Sequence, residues 1–189
     1  MKKATLLLVL LSIAAVFSAH AQDELEPPAP GKSVIYIART TPYGANFNFT
    51  YLDSATLLGR CAGPAYIRYE CDPGHHVIWA RAENRDYVEA DLAPDKTYFI
   101  LATVGVGMVT VQVDLVPINP SKDLKEMERI FKLIAKQRPV KFSPAQLESD
   151  RTDLGPAIER GLSTYSEEQK KGVKHDVLPI EWYFVEESF

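Results

Sequence analysis

Asn46-Phe47-Asn48-Phe49-Thr50-Tyr51 decides the fold, because aromatic side chains alternate strictly with polar ones along it. Residues at every second position of an extended strand lie on the same face, so one face of this stretch is apolar and the other is polar. Residues 109–115 alternate valine and leucine with threonine, glutamine and aspartate in the same way. Both patterns predict strands that bury one face in a core and leave the other face in water.

Similar runs of apolar, β-branched and aromatic residues bring the number of predicted strands to about seven. These runs cover residues 34–37, 65–69, 77–82, 87–92 and 97–104. The segments between them are rich in turn-forming residues, as in Asp72-Pro73-Gly74. Short strands at this spacing, with no helical segment between them, predict an antiparallel sandwich or barrel.

Helical periodicity replaces the two-residue period after Ile118. Asn119 is predicted to cap a helix with Pro120 at its first position, and the helix is expected to run to about Arg138. Its apolar residues recur at helical spacing: Leu124, Met127, Phe131 and Ile134. The pattern predicts an amphipathic helix with one buried face.

Two more helical stretches and a last strand are predicted downstream. Ser143-Pro144-Ala145-Gln146 has the form of a capping box with proline at the first helical position. Gly155-Pro156 is expected to interrupt this helix, because proline lacks the N–H that the helix needs. A third stretch, with Ile158 and Tyr165 on one side, is expected to end near residues 171–172. Residues 180–185 are predicted to form the final strand.

The first 21 residues have the features of a cleavable signal peptide. Lys2 and Lys3 precede an apolar run at 4–17, and small residues then lead to a cleavage site after Ala21. The run is shorter than the roughly 20 residues that a membrane-spanning helix needs. No cysteine lies near the site, so a lipid anchor is not expected. We therefore expect a soluble protein, periplasmic or secreted.

This organisation predicts four segments: signal peptide 1–21, linker 22–31, β-sandwich domain 32–118, and a helical arm with a terminal strand, 119–189, packed on the sandwich. The arm could instead lie in a groove of another protein, but packing on its own sheet incurs no association cost. Removal of residues 1–21 takes away two of the 21 basic residues and none of the 25 acidic ones, which leaves a formal charge of −6. That charge argues against a general nucleic-acid or anionic-membrane footprint.

Cys61 and Cys71 are the only cysteines. An exported protein can form a disulfide, and an even cysteine count favours one. If residues 62–65 make a hairpin turn, however, Cys71 lies about five strand steps of ~3.3 Å beyond the partner of Cys61. A disulfide would then require an irregular loop or a pairing between different strands. The alternative is two separate small apolar residues.

His75 and His76 form the only histidine cluster, directly after the turn that contains Asp72. Neighbouring strand residues point to opposite faces, so the two histidines cannot easily share one metal ion. We therefore expect no metal or cofactor site; Asp72, His75 and His76 are the candidates if one exists. The sequence contains no nucleophile elbow or other fixed-spacing catalytic signature. Four aromatic residues could in principle stack on a carbohydrate: Trp79, Tyr66, Tyr69 and Tyr87. Packing in the hydrophobic core explains their presence better.

Several of these segments together resemble an uncharacterised group of exported bacterial β-sandwich domains (a domain of unknown function) and, more loosely, the PEGA surface domain. The resemblance rests on residues 31–39, on the Tyr51-Leu52-Asp53 step, on residues 73–78 and on residues 95–99. Pro42-Tyr43-Gly44-Ala45 differs from the motif that gives PEGA its name by one residue. The resemblance covers about residues 31–116. It implies an Ig-like sandwich in the cell envelope, and it carries no catalytic residues.

The leading functional hypothesis is a non-enzymatic binding or scaffolding module of the bacterial cell envelope, whose partner is a protein or a surface polymer. One alternative is a hydrolase with a loop-borne site near Asp72, His75 and His76. The other is a protein that binds a small ligand or a metal ion between the sandwich and the helical arm.

Overall fold

The computed structural model describes residues 25–106 and 111–185. The predicted signal peptide and its cleavage site lie outside the described residues. Nine strands and two helices are formed within the described ranges. The strands are β1 (Ser33–Arg39), β2 (Phe49–Asp53), β3 (Thr56–Cys61), β4 (Ala65–Cys71), β5 (Gly74–Arg81), β6 (Arg85–Leu92), β7 (Lys96–Val106), β8 (Val111–Pro117) and β9 (Asp176–Leu178). The helices are α1 (Leu124–Ile134) and α2 (Pro144–Lys170).

The strands form two sheets that share one apolar core, as in a β-sandwich. Sheet A has the order β4-β1-β7-β8 and sheet B the order β3-β2-β5-β6-β9. The core between them is built from alternate residues, for example Ile35 and Ile37 from sheet A and Ile78 and Ala80 from sheet B. The predicted mainly-β fold is therefore confirmed.

Both sheets are mixed, whereas the sequence predicts antiparallel pairing. β1 runs parallel to β7, and β9 runs parallel to β6. The other pairs are antiparallel. A parallel pair requires a connection that returns the chain to its starting end. For β1 and β7 that connection consists of β2 to β6, four strands of sheet B together with β4, and a local sequence pattern does not reveal it.

β3 is the sandwich strand that sequence periodicity misses. Leu57 and Leu58 stand side by side and Gly59 follows, so the strand has no clean alternation. Its register with β2 shifts between Tyr51 and Leu52, which marks a β-bulge. Gly59 is required there, because a Cβ atom at this position would lie 2.0 Å from the ring of Phe142. The turn after β3 crosses to sheet A and does not close a hairpin with β4.

Helix α1 covers the outer face of sheet A. Met127 and Ile130 are completely buried, and they pack with Val34, Tyr36 and Phe99 from the outward-facing positions of β1 and β7. Each such side chain stabilises the fold by about 1.5–3 kcal/mol relative to an exposed one. β1 is consequently buried on both faces along its whole length.

The start of α1 differs from the prediction. The helix begins at Leu124 after the N-cap residue Asp123, and Asn119 does not cap it. Asn119 instead closes the turn before the helix. Its N–H donates to the Asp123 carboxylate at 2.8 Å, and its side-chain oxygen accepts from the N–H of Ser121.

Helix α2 covers the outer face of sheet B. Ser143 and Gln146 form the predicted capping box. Pro156 does not interrupt the helix, contrary to the prediction. Gly155 has no Cβ to clash with the proline ring, and Pro156 lies on the exposed side, where water can hydrate the carbonyl group that loses its partner. Ile158 and Gly161 on the other side pack on Leu52 and Trp79 of the sheet.

The last strand is β9, and residues 180–185 do not form the predicted strand. They cross the sandwich end in an irregular path that other contacts fix. Tyr98 donates its hydroxyl to the carbonyl oxygen of Ile180 at 2.9 Å, and the N–H of Phe184 donates to the carbonyl of Thr97 at 2.8 Å. Trp182 packs against the core between the sheets, and Phe184 packs against the cluster under α1. The apolar run thus supplies anchors to two clusters.

Substituting Gly161→Ala should destabilise the protein, although alanine favours helices. A Cβ at Gly161 would lie 2.4 Å from the ring of Trp79, which is fully buried. We expect overpacking to exceed the helix-propensity gain and to lower the free energy of unfolding by about 1–2 kcal/mol in urea titrations. The control is Ser163→Ala on the exposed side of the same turn, which should be neutral or slightly stabilising. Equal stability of both variants would contradict the packing of α2 on Trp79.

Candidate functional site

The histidines and the aspartate that the sequence singles out do not assemble into one site. His75 pairs with Asp91 at 3.0 Å in an exposed contact. His76 pairs with Asp53 at 2.6 Å. The carboxylate of Asp72 turns to Lys32 at 2.7 Å, also on the surface. The three side chains therefore have three different partners.

His76 is held as an imidazolium by its two hydrogen bonds. Its Nδ1 lies 2.6 Å from the carboxylate of Asp53, which also accepts the Tyr69 hydroxyl at 2.9 Å. Its Nε2 lies 2.8 Å from the carbonyl oxygen of Asp72, which can only accept. Both ring nitrogens therefore act as donors. The hydrogen bond with Asp53, with a smaller contribution from Cys71, raises the pKa of His76 to about 10 against the opposing effect of burial.

This network ties the β4–β5 turn to the end of β2 and leaves His76 without a free nitrogen lone pair. A general base or metal ligand needs a nitrogen lone pair, and both nitrogens of His76 donate. The described residues also contain no group of three histidine, cysteine, aspartate or glutamate side chains that could hold a metal ion.

Cys61 and Cys71 are both free and buried. Cys61 ends β3 in sheet B, whereas Cys71 ends β4 in sheet A. β4 is seven residues long and runs away from the turn that follows Cys61, so its far end lies about 20 Å from its start. The disulfide that the sequence left open is thus not formed in the described structure.

Of the aromatic residues considered for carbohydrate stacking, Trp79, Tyr66 and Tyr87 are buried.

The stability that His76 provides should decrease as the pH rises. The pKa of His76 is about 10 in the folded state and about 6.5 in the unfolded state, so the folded state binds the proton more tightly. The resulting stabilisation of the folded state is complete below pH 6.5 and is lost as the pH rises through 10. Compared with His76→Gln, the wild-type protein should be more stable by about 2–3 kcal/mol at pH 6, and this advantage should shrink towards pH 10. Urea unfolding at several pH values measures it.

His75→Gln is the matched control for that series. The His75 side chain is more than half exposed and so is that of Asp91, so this variant should follow the wild type at each pH. A His76→Gln deficit that stayed constant or grew with pH would disprove the imidazolium assignment.

The opposite end of the sandwich carries a loop that is held by a buried arginine. Arg39, the last residue of β1, is only 1% exposed. Its guanidinium donates to the carbonyl oxygens of Tyr43, Gly44 and Phe47 at 2.6–2.9 Å and lies over the Phe49 ring at 4.4 Å. Burial lowers the pKa of Arg39. The side chain thus fixes the loop 40–48 by donating to its backbone.

This loop presents two aromatic rings to solvent. Tyr43 is 57% exposed and Phe47 is 50% exposed. Gly44 between them has φ +66°, and a Cβ there would meet the Arg39 guanidinium at 3.2 Å. Exposed aromatic residues on a preorganised loop are typical of binding surfaces. Sequence reasoning predicts a turn at residues 41–44 but places Phe47 in a strand, because this residue belongs to the alternating pattern; the strand begins only at Phe49.

A cleft of about 590 Å³ lies where the loop meets α1. The sandwich contributes Thr40, Thr41 and Pro64, and α1 with the turn after it contributes a second set that includes three cations: Arg129, Lys132, Leu133, Lys136 and Gln137. The volume is within the range of about 300–1,000 Å³ found for small-ligand sites.

The cleft is cationic although the chain is acidic. Residues 122–141 include seven basic and three acidic residues, against a formal charge of −4 for the whole chain. Arg129 and Lys132 have glutamate neighbours on the same helix, at 4.0 and 2.5 Å. Lys136 forms no ion pair with any described residue. A local positive potential of this kind favours anionic partners.

The comparisons with known proteins do not assign this chain. It matches no protein-family model, and no curated protein is similar to it. Within the described residues, none of the helices is both long enough and apolar enough to cross a membrane.

Removal of the Arg39 guanidinium should release the loop. We expect Arg39→Met to lose about 2–3 kcal/mol of stability, because three carbonyl groups lose a charged donor. Cleavage within residues 40–48 should also become faster in limited proteolysis. Arg39→Lys keeps the charge but loses the planar guanidinium. Its stability and its rate of loop cleavage should therefore lie between those of the wild type and those of Arg39→Met.

Arg151→Met, on the exposed side of α2, is the matched control and should behave like the wild type. If Arg39→Met left the cleavage rate of the loop unchanged, the guanidinium would not be what orders it.

Proposed function

We propose that this protein is an exported, non-enzymatic β-sandwich module of the bacterial cell envelope that binds a partner protein or surface polymer. The binding face is the sandwich end that carries loop 40–48 and the cationic cleft. The observation on which this proposal rests most is the loop itself: a buried cation orders a segment whose two aromatic side chains face solvent.

The energetics of this arrangement support binding. A rigid loop loses little conformational entropy when a partner docks, so more of the contact energy appears as affinity. Tyr43 and Phe47 supply apolar contact area, and the neighbouring cleft supplies positive charge. The combination suits an acidic partner with an apolar or ring-bearing element.

The cellular compartment and the resemblance to exported β-sandwich domains are also part of this proposal. The apolar start and the small residues before Gln22 support export to the periplasm or the extracellular space. The resemblance to exported bacterial β-sandwich domains supports an envelope location. We also propose that the sandwich is Ig-like, although its first strand pairs in parallel with β7.

A small anionic ligand is the second candidate for this end of the molecule. The cleft lies between the sandwich and the helical arm, and its volume is sufficient for such a ligand. The hydrolase alternative has less support, because Asp72, His75 and His76 are separately paired and the nitrogens of His76 both donate.

Photo-crosslinking in cells tests the proposal. A benzoylphenylalanine introduced in place of Tyr43 should form adducts of defined mass with an envelope partner, because this ring is exposed on the proposed face. The same group in place of Val173, an exposed apolar residue away from the loop, should not. Adding Arg39→Met should reduce the adducts from position 43.

Equal labelling from both positions would contradict the choice of this face. Absence of protein adducts from position 43, with a stable and exported protein, would exclude a protein partner there and leave a surface polymer at this face or a small ligand in the cleft.

A further inference from the structure

Three arginines form one row across the outer face of sheet B. Arg60 on β3 pairs with Thr50 on β2, Thr50 pairs with Arg81 on β5, and Arg81 pairs with Arg85 on β6. Residues paired directly across neighbouring strands point to the same face. Trp79, two residues before Arg81, contacts α2, so this is the outer face. The row is adjacent to the part of the sheet that α2 covers.

The arginine row has no carboxylate partner among the described residues. Within the described ranges, none of the three arginines forms an ion pair. The Nε atom of Arg85 is buried and has no hydrogen-bond partner among the described residues, as is also true of the Nε atoms of Arg39 and Arg68. Like charges opposite each other in a sheet are destabilising, and Arg81 faces Arg85 directly. The arrangement therefore lowers stability in the free protein, as is common at functional sites.

The hairpin that carries two of the arginines is firmly positioned. The side chain of Asn84, in the turn between Arg81 and Arg85, exchanges two hydrogen bonds of 2.8 Å with the backbone of Val113 on β8. Thr50 is buried in the middle of the row. The fixed strand register therefore brings the three arginines to one face of the sheet, where more than one guanidinium can reach the same oxyanion.

A small cavity of about 190 Å³ lies beside the row. Arg60, Arg81 and Thr50 line it together with Asn48 and the half-exposed ring of Phe47. Its volume is below the usual range for whole ligands, so it suits a single group of a larger molecule. Glu83 also lines it, but makes no ion pair with either arginine among the described residues.

We propose that this arginine row is a binding site for a phosphate or sulfate group carried by a sugar. The guanidinium groups of Arg60 and Arg81 bind the oxyanion, and the Thr50 hydroxyl and the Asn48 amide are available as further donors. The Phe47 ring is a stacking surface for the sugar that carries the group. The site takes Phe47 and Asn48 from loop 40–48 but lies on sheet B and uses none of the residues that line the cleft beside α1. It does not depend on export or on a protein partner.

Thermal unfolding of the full chain with defined probes tests the site. Glucose 6-phosphate should raise the unfolding temperature of the wild type, inorganic phosphate should raise it less, and glucose should have no effect. Arg60→Gln and Arg81→Gln should each weaken glucose 6-phosphate binding about tenfold or more, measured by isothermal titration. Arg151→Gln, an exposed arginine on α2, is the matched control and should bind like the wild type.

Without a probe, Arg81→Gln should unfold about 1–3 °C higher than the wild type, because it removes the repulsion with Arg85. A gain in stability together with a loss of binding cannot come from misfolding. The proposal is overturned if no phosphate probe stabilises the wild type, if glucose stabilises it as much as glucose 6-phosphate does, or if Arg60→Gln and Arg81→Gln bind as tightly as Arg151→Gln.

Discussion

β1 lies between two apolar layers: Ile35 and Ile37 face the core between the sheets, while Val34 and Tyr36 face α1. A strand covered on both sides cannot tolerate water on either face, so the sandwich cannot be complete without its helices. On sheet B, Leu52, Trp79 and Tyr87 require cover in the same way, and α2 provides it. The result is a helix, two sheets and a helix in four layers.

This double cover determines where binding chemistry can lie. The middle of each sheet is occupied by a helix, so ligand-accessible side chains must come from sheet ends and loops. One end is closed by paired charges, including His76 with Asp53 and Lys32 with Asp72. The other end carries the loop held by Arg39, together with cations that have few carboxylate partners. The molecule is therefore polarised, although its overall charge is modestly negative.

Local patterns predicted much of the fold and little of the site. Alternation located most strands, and the Ser143 capping box located the start of α2. β3 was missed, because Gly59 gives up a side chain to admit Phe142 from 83 residues later in the chain. The apolar run 180–185 was misread as a strand, because alternation cannot distinguish pairing from separate anchors such as Trp182 and Phe184. Pro156 was misread for another reason: Gly155 before it removes one steric clash, and its exposed position lets water hydrate the carbonyl group that loses its partner.

The arginine row shows why the site was harder to predict than the fold. Arg60 and Arg81 are 21 residues apart in the sequence, and only the register of β3, β2 and β5 places them on either side of Thr50. A hydrophobic core tolerates errors in such a prediction, because many apolar residues can fill the same space. A set of charges does not, since a shift of one residue moves each side chain to the other face. Arg39 and the arginine row also work in opposite ways: Arg39 donates to three backbone carbonyls and orders a loop, while the three arginines of the row form no ion pair with any described residue. A cation without acceptors of this kind is one whose electrostatic cost an anionic ligand can relieve, which is why the row, rather than Arg39, points to binding.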